Sequence, residues 1–179
     1  EVYDKSRDGR LIGLYYTDDY ARPGKRSGAW MTTYRSFSKL TGSKPILASN
    51  NNNFVKAPDG QPLLISLDDA ETLFHEFGHA LHGFFSKTTY PSVAGTNTPR
   101  DFVEFPSQFN EHWALDPKVF ANYAKHYQTG EAMPAELIER VQAAAKFNQG
   151  FATTEYLGAA MLDQYLHQLP ADQLPSGDQ

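Results

Sequence analysis

Residues 75–79 read His-Glu-Phe-Gly-His. Two histidines four apart on a helix project from neighbouring turns of one face. Their imidazoles can then share one zinc ion, while the glutamate between them, Glu76, stands beside the metal as a base. The chemistry such a pair offers is activation of water against a polar bond. A catalytic zinc needs one more protein ligand. His82 lies on the same face, but a rise of 1.5 Å per residue puts it ~10 Å along the axis from His75, outside one coordination tetrahedron. Packing or a hydrogen bond near the cleft suits His82 better.

The missing ligand must come from another segment, and residues 101–113 (Asp-Phe-Val-Glu-Phe-Pro-Ser-Gln-Phe-Asn-Glu-His-Trp) supply a candidate. Read as a helix, Asp101, Glu104, Gln108 and Glu111 line one side, and Phe102, Phe105, Phe109 and Trp113 gather largely on another. Pro106 is comfortable only in a first helical turn, so either Glu104 lies near the helix start or the helix is kinked there. Beside a two-histidine motif that lacks a ligand, Glu104 is the leading candidate.

These side chains need elements to hold them. From Ser66 onward Leu67, Ala70, Leu73, Phe74, Phe77, Ala80, Leu81, Phe84 and Phe85 recur at helical spacing and form one apolar stripe, with His75, His79 and His82 roughly opposite. Ser66 is the predicted N-cap, and Asp68, Asp69 and Glu71 suit the positive end of the helix dipole. Before this helix, residues 11–17, 30–37 and 45–49 read as short strands. The asparagines at 50–53 read as a loop or strand end. After it, helices are expected over 117–128, 134–146 and 149–168, with Pro117 and Pro134 at their entries. A small sheet near the N-terminus followed by a helical active-site region of zincin type gives an α+β, mainly α-helical fold, expected as a single domain over 1–179.

Composition narrows the partners. The chain of 179 residues has a net charge of −5 and gives no electrostatic footprint for nucleic acid. It has no cysteine, so any metal must be held by nitrogen and oxygen. No apolar run approaches the ~20 residues of a membrane span, and no membrane partner is expected.

The pentapeptide, the Ala-Leu-His-Gly that follows it, and residues 92–113 together resemble the M3 family of zinc metallopeptidases. The similarity runs from Gly-Leu-Tyr-Tyr-Thr-Asp at 13–18 to Thr-Glu-Tyr-Leu-Gly-Ala-Ala at 154–160 and is densest over 68–113. The resemblance implies one zinc ion per chain on His75, His79 and Glu104, with Glu76 as the catalytic base. It also suggests that Glu71 and Glu111 support the ligands, since a ligating imidazole usually gives its free N–H to a carboxylate or carbonyl. The Gly95-Thr96 loop resembles the family segment that touches the substrate backbone. The implied activity is hydrolysis of short peptides with release of carboxyl-terminal dipeptides, as in the family's bacterial peptidyl-dipeptidases. Alternatives are an endo-acting oligopeptidase of the same family and, for these 179 residues alone, a zinc- and peptide-binding unit without turnover. Nothing after residue 160 resembles the family's later tyrosine- and glycine-rich segment, and its large helical amino-terminal part is also unmatched. The chain is therefore expected to be a partial catalytic domain of a longer peptidase, monomeric and cytoplasmic, with the periplasm as the other compartment.

Overall fold

The computed structural model describes residues 1–6, 8–42, 44–175 and 177. They fall into two compact units, 1–130 and 131–179. The first unit opens with strands β1 (Val2–Asp4), β2 (Arg10–Tyr20), β3 (Trp30–Arg35) and β4 (Ile46–Phe54). They form one mixed sheet in the order β1-β2-β4-β3, with β4 parallel to β2 and antiparallel to β3. Helix α1 (Leu67–Phe84) follows, then α2 (Phe105–Glu111) and α3 (Pro117–Tyr123). The fold of this α+β chain thus has its sheet first and its helices after, as the residue patterns require.

Strand β4 is central and alternates as a half-buried strand should: Ile46, Ala48, Asn50, Asn52 and Phe54 all point into the protein. Ile46 and Ala48 meet Ala80 and Phe84 of α1, and Tyr15, Met31, Phe37 and Phe77 pack around them. The asparagine run is therefore not a loop but the end of the strand, as the second of the two expectations had it. It continues the strand, and Asn50 and Asn52 are wholly buried. Their pairing explains why polar residues lie there. Asn52 Nδ2 donates to Asp19 Oδ1 at 3.1 Å. The Asn50 amide, oriented as its neighbours require, donates to the Glu76 carbonyl at 3.3 Å and accepts from the Phe77 N–H at 3.2 Å and from the Tyr15 hydroxyl. A sheet side chain thus grips the backbone of α1 beside Glu76.

Helix α1 starts where the sequence places it. Ser66 Oγ accepts from the Asp69 N–H, and the Asp69 carboxylate accepts from the Ser66 N–H, which completes a capping box. Its burial is wider than a single apolar stripe, however. Glu76, Gly78 and His79 are buried along with Ala80 and Phe84, because the sheet covers one side of the helix and α2 another. Phe85 falls just beyond the last turn and is exposed.

The second unit holds α4 (Ala135–Ala144) and α5 (Gln149–Gln168), joined through Asn148 in a left-handed conformation. Among the described residues no helix is long and apolar enough to cross a membrane.

Asn50→Ala should cost about 1–3 kcal/mol in urea unfolding, because it strands the Tyr15 hydroxyl in a buried setting. Asn51→Ala, one residue on and facing outward, should change stability by less than about 0.5 kcal/mol. Equal losses for the two would remove the tether assigned to Asn50.

Candidate metal centre

The first turn of α2 is what brings the third donor in. Glu104 is its N-cap, and Pro106 stands at the second helical position, where the lost N–H costs nothing. The helix starts at Glu104 rather than kinking there. Unlike the usual N-cap, Glu104 makes no side-chain capping bond. Its carboxylate turns instead to α1, with Oε2 3.2 Å from His75 Nε2 and 3.1 Å from His79 Nε2. One donor atom from each of the three side chains lies within 4.8 Å of the others, so the group could hold one metal ion.

Each donor is prepared differently. His75 Nδ1 faces Glu111 Oε1 at 2.5 Å, and donation there leaves Nε2 with its lone pair toward the centre. His79 is buried, and burial pulls its pKa below the ordinary 6.5; the nearby His75 and His82 act in the same direction, against the pull of Glu104. It is held neutral, the form in which an imidazole ligates. Burial alone would raise the Glu104 pKa, but the Ser107 hydrogen bond and the two histidines outweigh it and keep the carboxyl ionised.

Glu76 lies among these groups on the same helix and is 6% exposed. Burial pushes its pKa up, with Glu104 adding to the rise while His75 and the Met31 backbone amide oppose it. Its Oε2 is buried with no hydrogen-bond partner among the described residues. A carboxylate so placed has an oxygen free to take a proton.

Of the other expected residues, Glu111 reaches the site through His75. Glu71 makes no hydrogen bond to that imidazole; it is near enough to Glu111 and Asp68 for their charges, after burial, to raise its pKa. The carboxylate in contact with the His75 imidazole is that of Glu111, from the neighbouring helix. His82 stands edge-on to Phe102, outside the donor group. Gly95 packs on Gly83 of α1 with φ +54, and with Thr96 it lines a small pocket of about 140 Å³ beside the helix. Sequence reasoning overlooked Ser107, Asn110, Asn50 and Met31, which touch the site or its helix. The one local signal was a serine three residues after the candidate ligand.

The family model for peptidase family M3 matches residues 1–178. The dipeptidyl carboxypeptidase of Salmonella typhimurium is 52% identical over 169 residues, which is 94% of this chain and 24% of that protein. That of Escherichia coli is 49% identical over 93% of this chain and 24% of its own length. Oligopeptidase A of Escherichia coli is 39% identical over 93% of this chain and 25% of its length. The chain thus spans about a quarter of the length of these curated relatives.

Because the folded pKa of His79 lies below its unfolded value, its contribution to stability is complete above pH 6.5 and is lost as pH falls through the folded value. The chelator-treated chain should therefore melt at lower temperature as pH drops below 6.5. His79→Gln should flatten that slope in thermal melts, and an unchanged slope would assign the acid sensitivity elsewhere.

Proposed function

The chain belongs to peptidase family M3, and from that premise we propose that it carries the zinc centre of a peptidase that hydrolyses short peptides. His75, His79 and Glu104 hold the zinc, and Glu76 is the general base. The observation that carries the reading is the convergence of two imidazoles and one carboxylate, on a helix that also holds a buried glutamate with an unpaired oxygen. A zinc ion with bonds of ~2.0–2.2 Å separates its ligand atoms by about 3.3–3.6 Å in a tetrahedron. The N···O separations of 3.2 and 3.1 Å are close to that edge, which supports a fit. The nitrogen and oxygen donors also match zinc, and three protein ligands are the number a catalytic site uses.

When bound, the zinc supplies Lewis-acid chemistry: it acidifies water and polarises a peptide carbonyl. The residues do the rest. Glu76 accepts a proton from the attacking water and delivers it to the leaving amine, and a pKa raised by burial suits both halves of that transfer. Glu111 fixes the ring orientation of His75, and Glu71 stands close behind Glu111. The Gly95-Thr96 loop contacts the substrate backbone. Higher identity to dipeptidyl carboxypeptidases than to oligopeptidase A supports release of carboxyl-terminal dipeptides over internal cleavage.

Zinc analysis and a quenched fluorescent peptide test this. The protein should carry about one zinc per chain, and so should Glu76→Gln. Cleavage should fall by roughly 10²–10⁴-fold in that variant, the range of a lost general base. Zinc in neither protein, or cleavage that survives Glu76→Gln, would overturn the assignment.

A further inference from the structure

The seam between α1 and α2 carries an inference that rests on the metal-site reading above. A Cβ on Gly78 would lie 2.6 Å from Ser107 Cα and 2.8 Å from the Pro106 carbonyl oxygen. Both are backbone atoms, so no side-chain rotation relieves the clash; any larger residue must push α2 outward. Gly78 precedes His79 directly, and Ser107 follows Glu104 by three residues. The closest approach of the two helices is therefore set beside the ligands themselves. Asn110 fastens the same seam, with Nδ2 donating to the Phe74 carbonyl at 2.6 Å.

Ser107 is wholly buried, and its Oγ lies 2.8 Å from Glu104 Oε2 and 3.0 Å from the Glu104 carbonyl oxygen. Its single proton serves these two acceptors. Oε2 is also the oxygen that faces both imidazoles. The Glu104 side chain is itself 49% exposed, so without such a partner it would be free to swing toward water.

We propose that Ser107 and Gly78 are positioning residues for the third ligand: Gly78 lets α2 approach α1, and the Ser107 hydroxyl aims Glu104 Oε2 at the two histidines. The donor set is then assembled before an ion arrives.

Zinc affinity by chelator competition tests this on the full chain, with metal-free melting curves and the visible spectrum of the cobalt(II) form alongside. Ser107→Ala should weaken zinc binding 10–100-fold, the usual effect of losing a ligand's hydrogen-bond partner. Metal-free melting should shift little, and the cobalt bands should change in intensity. In a Glu104→Ala background, Ser107→Ala should weaken binding no further, because its effect passes through that carboxylate. Gly78→Ala approaches the seam from the other helix and should weaken zinc binding in the same range. A chain that binds no zinc overturns the metal-site reading and this inference with it. Undiminished affinity in Ser107→Ala, or a full additional loss in the Glu104→Ala background, overturns the role of Ser107 alone. Undiminished affinity in Gly78→Ala overturns that of Gly78.

Discussion

Two histidines of α1 and a carboxylate from the start of α2 meet only because α2 lies against α1 at Gly78, where the facing backbone occupies the space a side chain would need. From that contact the rest follows. Glu104 reaches the imidazoles from an N-cap position, Glu111 reaches His75 from the other end of the same short helix, and Asn110 closes on a carbonyl of α1. The sheet supplies the opposing support. Asn50 grips the peptide after Glu76, and the apolar cluster of Ile46, Ala48, Ala80 and Phe84 holds the helix down. A helix buried on two sides has little freedom to rotate, and rigid presentation is what a metal ligand set requires.

That packing also sets the electrostatics. Burial acts on Glu76 and His79 in the same sense, toward the neutral form, while Glu104 remains charged near the surface with a hydroxyl and two histidines beside it. One negative charge stands next to two imidazoles. The balance suits a divalent cation, which would compensate that charge in a partly desolvated place.

Local periodicity explains what was legible beforehand. The two histidines and Glu76 share one regular helix, so their mutual geometry is contained in the spacing. Ser66 announced the start of α1, and Pro106 restricted where α2 could begin. What depends on contacts between elements was not legible. Spacing along α1 gave a reason for Glu71 beside His75 and none for Glu111, which only the family resemblance suggested and which meets the imidazole from α2. Four asparagines resemble a loop by composition, and only partners from other elements, the α1 backbone for Asn50 and Asp19 for Asn52, make buried polar residues in a strand tolerable.

The donors also differ in chain position. His79 and Glu104 bracket residues 80–103, a stretch that contains the end of α1, the Gly95 turn and the approach to α2. An ion shared across that interval acts as a cross-link. It ties off the loop and removes from the unfolded chain the freedom that loop would otherwise enjoy. Binding free energy at such a centre becomes folding free energy for the unit that encloses it. The metal would then be a structural fastener as well as a reagent, and the concentration of free ion would enter the stability of the folded unit.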